Sequence, residues 1–556
     1  MKIKKVAVRT ARAVAASRRT IIFERRRVYV ARSTIRCVLV WLGGASCDVN
    51  TARFGDSPAL TTEWTHYGGD AAGSRYSTVA QIDRQNVSTL GVTWMIRTGE
   101  LRDSVRTVTF DRQPPTEAAG VASRCAECYV SQARFESTPI FWNGLLYLNT
   151  PRGRVLALDP ETGALRWEFD PNVDITRWYA EGLTSRGVAV WEDSRVANAV
   201  RCSRRIIFTT VDARLFAVDA SVGRLCLDFG AAGVVRLDLQ GSWTQWRTGD
   251  YSVTSAPVVV GNNVIIGSAV NKNRTGKAPS GLVRAYDARL GHLVWSFEPL
   301  ATTSNENSPA EDSRDRGEAG GGANVWSTMS SDVNRDLVYL PTSSAAPGFF
   351  GGARPGRNEF ANSIVALQAS TGKLVWFFQT VHHDLWDYDV ASQPVLITLS
   401  QNGHNRPAVV VGTKTGMIFV FDRVTGEALA PIVERSVPRT DVPGESVWPT
   451  QPFSGAPLLH GNLLTPDSAF GVTEADRSYC RQLIGELRNE GLFTPPSLTG
   501  TLMWPGFWGG MNWDGMAWDP ERQLIVTTVR RLGMVVRLHP RNQRPAVGSE
   551  SSLAGC

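Results

Sequence analysis

A short motif that recurs along the chain constrains the fold most strongly. An apolar strand, a turn that contains Asp and Gly, and a second strand that ends in a bulky residue follow one another at residues 157–167, 217–227 and 285–295. A fourth copy at 366–376 has Gln368 in place of the Asp, and a degenerate fifth copy at 420–430 ends in Ala. Asp bonds to its own backbone at the start of such a turn, and Gly supplies the positive φ that the turn requires. Each copy therefore predicts two neighbouring antiparallel strands.

The spacing of the copies indicates how the strands assemble. Successive turns, at positions 159, 219, 287, 368 and 422, lie 54 to 81 residues apart. One four-stranded sheet and a variable loop fit this length, and radial repetition of such sheets gives a β-propeller. The sequence thus predicts an all-β fold in which a terminal Trp, as at Trp376, wedges between neighbouring sheets. Segment 303–322 reads as an inserted loop and segment 473–489 as a short helix.

Charge is distributed unevenly along the chain. Residues 1–36 contain 12 Lys and Arg against one Glu, whereas the remainder contains 47 basic and 51 acidic residues. The body is therefore not the basic surface that nucleic-acid binding requires. The sequence contains no run of 18 apolar residues, so it does not predict a transmembrane helix. These features divide the chain into a basic leader at 1–47, a propeller at 60–541 and a polar tail at 542–556.

The leader resembles an export signal. Its basic region precedes the apolar stretch 37–45 and small residues before Cys47, which fits a secretory signal whose start is placed too far upstream. Cys47 also loosely matches a lipoprotein acceptor. The sequence therefore predicts a periplasmic protein. A lipid attached to Cys47 is one predicted form of membrane association. The alternative interpretation is a basic disordered tail.

The chain contains eight Cys, and export would permit disulfides. Cys125 and Cys128 have the CxxC spacing, but Tyr129 follows where covalent haem attachment requires His. A local disulfide is the interpretation that remains. Cys202 and Cys226 flank an apparent two-strand unit and are candidates for a second disulfide.

The segment with the clearest chemical content is residues 381–390, which read VHHDLWDYDV. Three carboxylates, two His and two aromatic residues within ten positions exceed what packing requires. Lys414 follows 27 residues after Asp387, one hairpin later. A carboxylate and a cation at the same edge of neighbouring strands can act together on a polar ligand. His382 and His383 have a simpler interpretation as residues that cap a strand.

Several motifs together resemble one family. WTHYGGD at 64–70, RYS at 75–77, VHHDLWD at 381–387 and TKTG at 413–416 are similar to motifs of quinoprotein dehydrogenases that use pyrroloquinoline quinone (PQQ). The resemblance extends from about residue 64 to 541 and is closest to the periplasmic domain of membrane-type glucose and quinate dehydrogenases. It implies an eight-bladed propeller with the quinone in the central channel beside a calcium ion.

The resemblance also implies roles for individual residues. Asp387 matches the general base that takes the alcohol proton, and it also matches a metal ligand. Lys414 matches the cation on the quinone oxygens, and Trp326 matches the aromatic residue that stacks on the cofactor. Asn271 matches a metal ligand, or Asn273 does if the local alignment is shifted. The other implied cofactor contacts are Glu136, Arg186, Thr254, Ser268, Asn512 and Trp513.

The chain departs from its relatives in three ways. Residues 180–182 read AEG, so neither the disulfide lid of methanol dehydrogenase nor the nearby His of the glucose enzyme is present. Ser344 stands where methanol dehydrogenase has a metal-binding Asn. Family members also continue well past residue 541, so we expect a C-terminally truncated propeller or one that a second polypeptide completes.

The function that this resemblance implies is oxidation of a sugar, polyol or cyclic alcohol by a periplasmic PQQ-dependent dehydrogenase. Electrons would pass to ubiquinone or to a separate cytochrome, because the chain has no haem motif. Peripheral membrane association would replace the missing anchor. Two alternatives stay open, a non-catalytic propeller scaffold of the cell envelope and a truncated, inactive remnant.

Overall fold

The computed structural model describes residues 63–100, 133–238, 249–272, 278–300 and 321–540, together with residues 30–31. Single positions within these ranges are excepted, namely 176, 178, 180, 198, 199, 402 and 462. The predicted Cys125–Cys128 disulfide, most of the predicted 303–322 loop, nearly all of the leader and the whole polar tail lie outside the described residues.

Antiparallel sheets of consecutive strands dominate the described chain. The first sheet contains Ile140–Trp142, Leu145–Asn149, Val155–Leu158 and Leu165–Phe169, and the second contains Ala189–Glu192, Arg204–Thr210, Arg214–Asp219 and Val234–Arg236. The third contains Val258–Val260, Asn263–Ile266, Val283–Asp287 and Leu293–Phe297, and the fourth contains Ser330–Asp332, Leu337–Pro341, Ser363–Gln368 and Leu374–Gln379. The fifth has three strands, Val395–Gln401, His404–Gly412 and Ile418–Asp422.

Shorter pairs of strands complete the secondary structure. They are Ala133–Phe135 with Leu183–Ser185 in parallel, Tyr251–Ser252 with Ala269–Val270, Ile432–Ser436 with Thr450–Ser454, Thr501–Met503 with Met534–Val536, and Met516–Asp519 with Leu524–Thr527, which also pairs with Val30–Ala31. The predicted helix is present as α1, Glu474–Glu486. It begins after Thr473 because the Asp476 N–H donates to the Thr473 hydroxyl while the Asp476 carboxylate accepts from the Thr473 N–H.

The first strands of neighbouring sheets lie beside one another. Ala189–Glu192 contacts Val258–Val260, which contacts Ser330–Asp332, and that strand contacts Val395–Gln401 in turn. Sheets that meet through their first strands are arranged radially, so the predicted propeller architecture is confirmed. The blade count of eight stays a prediction. Within the described residues no helix is both long and apolar enough to cross a bilayer.

The predicted Trp wedge is confirmed at three junctions between sheets. At each of these three junctions, a Trp at the end of one repeat donates its indole N–H to a backbone carbonyl in the next sheet. That carbonyl belongs to the residue directly after position 219, 368 or 422, where the turn of the next repeat begins. These pairs are Trp167 with Ala220 at 3.0 Å, Trp295 with Ala369 at 2.9 Å and Trp376 with Arg423 at 3.1 Å. The turn Gly of the accepting sheet lies against the indole, because a side chain at Gly426 would meet the ring of Trp376.

The junction between the second and third sheets is built differently. The second repeat ends in the exposed Leu227 instead of Trp. Arg205 replaces the indole, since its Nη1 donates to Ala288 O at 3.3 Å and to Arg289 O at 2.6 Å. The Cys202–Cys226 disulfide lies in the same sheet, with 5.8 Å between the two Cα atoms, so this predicted pairing is confirmed.

We expect Gly426→Ala to destabilise the protein more than Gly444→Ala. Both Gly residues have a φ near +77°, so each substitution carries a similar backbone penalty of about 1 kcal/mol. A Cβ at Gly444 meets open space, whereas a Cβ at Gly426 lies 2.7 Å from the Trp376 indole. The difference in Tm between the two variants therefore measures the contact between position 426 and the Trp376 indole. An equal loss of Tm in both variants would show that this contact does not contribute to stability.

Candidate active site

The segment 381–390 is a buried connection between the fourth and fifth sheets. Asp384 holds it in shape, because its carboxylate accepts the N–H groups of Trp386 and Tyr388, each at 3.0 Å, and the Asn362 amide at 3.0 Å. Burial and the nearby negative charge of Asp387 raise the pKa of Asp384 to about 6. Trp386 and Tyr388 are fully buried in the core shared by the fourth and fifth sheets.

Asp387 lies between these two core residues in the sequence. Its backbone adopts the left-handed conformation, with φ of 56°. Residues other than Gly rarely adopt this conformation, and it is concentrated at functional sites. The Asp387 carbonyl accepts from Lys414 Nζ at 2.8 Å. The backbone and the side chain of Asp387 therefore both meet the same lysine.

Lys414 stands on the turn that connects the last two strands of the fifth sheet. Gly510 donates its N–H to the Lys414 carbonyl at 2.7 Å. A side chain at Gly509, whose φ is +76°, would lie 2.5 Å from Lys414 Cγ. Two consecutive glycines therefore allow the 509–510 backbone to close over this lysine.

Two carboxylates and two ammonium groups meet at this position. Lys414 Nζ lies 3.0 Å from Asp387 Oδ2 and 3.0 Å from Asp389 Oδ2. Lys272 Nζ lies 2.7 Å from Asp387 Oδ1 and 2.9 Å from Asp389 Oδ1. Each ammonium thus bridges both carboxylates, and the cluster is electrically balanced.

The protonation states follow from this mutual contact. Burial opposes the charged form of Lys272, but Asp387 and Asp389 outweigh it and raise the pKa of Lys272. The same balance raises the pKa of Lys414. For Asp389, burial is outweighed by the two lysines and by the Ser344 N–H, which lower its pKa. All three groups are therefore charged at neutral pH.

An aromatic and cationic wall borders the charge cluster. Trp326 donates its indole N–H to Asp389 Oδ2 at 3.0 Å, and Lys414 Nζ lies 6.0 Å from the centre of the Trp326 ring. Arg186 lies over the rings of Trp326 and Trp513, 5.0 and 5.4 Å from their centres. The guanidinium also pairs with Glu136 at 2.7 Å, and it donates to Thr254 Oγ1 at 2.8 Å.

Comparison with known proteins identifies the family. A family model described as PQQ: Glucose/ethanol/alcohol dehydrogenase, beta-propeller domain, matches residues 64–555. The chain belongs to the PQQ-dependent quinoprotein dehydrogenase family.

Individual relatives of this quinoprotein support the assignment. Quinoprotein glucose dehydrogenase of Escherichia coli is 35% identical over 505 residues, which cover 90% of this chain and 59% of that protein. Quinate/shikimate dehydrogenase (quinone) of Acinetobacter baylyi is 33% identical over 501 residues, covering 87% and 58%. The solved quinohemoprotein alcohol dehydrogenase of Comamonas testosteroni shares the fold, with a TM-score of 0.58 at 22% identity, covering 86% and 59%. The quinoprotein thus spans under two thirds of the length of these relatives.

The site of this quinoprotein fits PQQ chemically. PQQ is a planar quinone that carries carboxylates, so it requires an aromatic face and several cations. Trp326 supplies the face, and Arg186 and Lys414 supply buried positive charge. The Ser268 hydroxyl and Arg186 Nε are buried and have no hydrogen-bond partner among the described residues. Buried polar atoms without a hydrogen-bond partner are what a polar ligand would satisfy.

The predicted metal position fits a divalent cation poorly. Lys272 Nζ occupies the space between Asp387, Asp389 and Ser344, where an oxygen-bound cation would have to lie. Asn271, the predicted ligand, directs its amide to Asp250 Oδ1 at 3.3 Å. The metal-ligand role of Asn271 stays a prediction, and Asn273 lies outside the described residues.

The remaining predicted residues lie around the site without a common contact. The Asn512 side chain bonds the Trp508 carbonyl and the Trp513 N–H, so it shapes a loop. His382 bonds Gln379 at 2.8 Å and Glu434 at 3.0 Å, and His383 bonds the Gly356 carbonyl. Both histidines therefore stabilise the segment through hydrogen bonds to neighbouring residues, and their role as strand caps stays a prediction.

Sequence reasoning missed two members of the charge cluster, Asp389 and Lys272. The signal for Asp389 was its alternation with Asp387 on one side of the segment, opposite the two aromatic residues. Lys272 gave a weaker signal, since it lies between the two Asn residues that were considered as metal ligands. A lysine in a loop ordinarily reads as a solvated charge.

We expect stability to depend on His460 between about pH 4 and 6.5. Its ring lies against Gly416 in the Lys414 turn, and burial together with the positive charge of Arg531 lowers the pKa of His460 to about 4 from 6.5. In this window the unfolded chain binds more protons than the folded chain, so stability falls as the pH falls. Urea unfolding across the window should show a flatter pH dependence for His460→Gln. An unchanged slope would contradict the assignment.

Proposed function

We propose that the protein is a periplasmic PQQ-dependent dehydrogenase that oxidises an alcohol group of a sugar, polyol or cyclic alcohol. Electrons leave to ubiquinone or to a separate cytochrome, and peripheral attachment keeps the protein near the membrane. The names of the relatives, which include glucose and quinate dehydrogenases, support this substrate class. The basic and apolar leader supports the compartment.

The observation that carries the proposal is the contact of Asp387 with Lys414 beside Trp326. A partly buried carboxylate within 3.0 Å of an ammonium, next to an indole and an arginine, combines a base, a positive charge and a stacking face. A scaffold has no need of this combination, since paired buried charges contribute little to stability compared with apolar packing.

Each residue has a distinct task in the proposed reaction. The Asp387 carboxylate accepts the proton of the substrate hydroxyl while the carbon that carries this hydroxyl gives up its hydrogen as a hydride. Bound PQQ supplies the two-electron acceptor. Lys414 would offset the negative charge that develops on the electron acceptor. The Lys414 ammonium need not move during the reaction, because the charge cluster already fixes its position. Arg186 and Trp326 orient the cofactor plane.

Titration of the purified protein with PQQ tests the proposal first. We expect saturable quenching of tryptophan fluorescence, followed by dye reduction with at least one of glucose, quinate or glycerol. Binding without turnover on any alcohol would favour the inactive remnant. A folded protein that binds no PQQ would favour the scaffold.

Two substitutions at one position test the stacking role. Trp326→Leu removes the ring and should weaken PQQ binding by about two- to tenfold, because stacking on an aromatic face contributes about 0.5–1.5 kcal/mol beyond burial. Trp326→Phe keeps a ring face and serves as the matched control. Equal affinities of the Leu and Phe variants would contradict stacking at Trp326.

A further inference from the structure

We infer that the ammonium of Lys272 takes the place of the divalent cation in this protein. Lys272 Nζ has three oxygen neighbours, Asp387 Oδ1 at 2.7 Å, Asp389 Oδ1 at 2.9 Å and Ser344 Oγ at 2.7 Å. Convergent carboxylate and hydroxyl oxygens are the ligands that a hard cation selects. Here the chain supplies the cation itself.

No carboxylate oxygen of the cluster remains free for a metal. Asp387 Oδ1 faces Lys272 and the Ser344 hydroxyl, and Asp387 Oδ2 faces Lys414. Asp389 Oδ1 accepts from Lys272 and from the Ser344 N–H, and Asp389 Oδ2 accepts from Lys414 and the Trp326 indole. A bound cation would have to displace these donors.

Charge and side-chain length support the same conclusion. Two carboxylates and two ammonium groups sum to zero, so an added divalent cation would leave a net charge of two in a buried site, which is costly. Ser344 has a short side chain and therefore leaves room for the Lys272 ammonium. The Lys272 side chain is only 12% exposed, so the charge is committed to the cluster and is not solvated.

The consequence concerns cofactor loading and rests on the proposed function. Lys272 and Lys414 both hold fixed positive charge beside the Asp387 carboxylate. Binding of PQQ to this protein therefore needs no added calcium, and a chelator leaves it unchanged. Lys272 is a positioning residue for Asp387 and a fixed positive charge at the site.

Terbium luminescence tests the inference without PQQ. Trp326 contacts Asp389 and would sensitise the emission of a terbium ion bound at the cluster. We expect no such emission from the wild-type protein. Lys272→Asp replaces the cation with a third carboxylate, so this variant should emit, and the emission should be lost in Lys272→Asp combined with Trp326→Phe. Emission from the wild type that Trp326→Phe abolishes would overturn the inference.

Calcium and chelator titrations provide a second test. Calcium should raise the Tm of Lys272→Asp but not that of the wild type or of Lys272→Met, the control that removes the charge without adding a ligand. EDTA should leave wild-type PQQ binding unchanged, and its loss in EDTA would overturn the inference. A wild type that binds no PQQ in any condition would contradict the proposed function alone, because the terbium result still decides the role of Lys272.

Discussion

Asp387→Asn is expected to lower dye-coupled turnover by about 10²–10⁴-fold, the usual contribution of a positioned general base. The amide keeps the size of the side chain but cannot accept the hydroxyl proton. Asp387 is 14% exposed, so it can reach a substrate, whereas Asp389 is only 3% exposed. The measurement is initial rate with PQQ bound, on whichever alcohol the wild type oxidises.

The variant must still bind PQQ for this result to identify a base. Fluorescence quenching should show an affinity close to that of the wild type, because Trp326 and Arg186 remain. Glu427→Gln is the control for loss of an acidic side chain, since Glu427 is 65% exposed and, among the described residues, pairs with Arg406 at the surface. Turnover by Asp387→Asn that matches this control would remove the base assignment.

Asp389→Asn is expected to reduce the free energy of unfolding by about 3–5 kcal/mol, the usual cost of breaking a buried ion pair from one side. Its carboxylate is shared by Lys272, Lys414 and the Trp326 indole. Neutralising it leaves two buried ammonium groups with one carboxylate between them. Urea unfolding with an unchanged m value should record the loss as a lower midpoint.

A double substitution separates charge imbalance from lost packing. Lys272→Met combined with Asp389→Asn restores a balanced pair, Asp387 with Lys414, so part of the lost stability should return. Glu427→Gln, by contrast, should change stability by less than about 1 kcal/mol. If the double variant is as unstable as the sum of the single variants, charge balance does not explain the effect.

The sequence predicted the features that repeat locally. Each Asp and Gly turn specifies a hairpin through its own backbone, so the five copies and the Trp wedge at Trp376 could be predicted without long-range information. Asp387 and Lys414 were predictable because one hairpin separates them. The helix α1 was likewise predictable from the helical period within segment 473–489.

The features that sequence reasoning missed depend on distant parts of the chain. Lys272 lies 115 residues before Asp387, and the radial order of the sheets alone brings them together. Arg205 replaces a missing Trp through contacts with Ala288 and Arg289, in another sheet. No local pattern separates such a lysine or arginine from an ordinary solvated one.

The junction at Arg205, between the second and third sheets, depends on salt and redox conditions. The three junctions built on Trp depend mainly on apolar burial, which these conditions hardly affect. The Arg205 joint instead includes an ion pair with the half-exposed Asp228 and lies beside the Cys202–Cys226 disulfide. Ionic strength screens the first, and reduction removes the second. In a reducing, salty medium the interactions that hold Arg205 in place should therefore weaken, and the junction between the second and third sheets should loosen before the three junctions built on Trp.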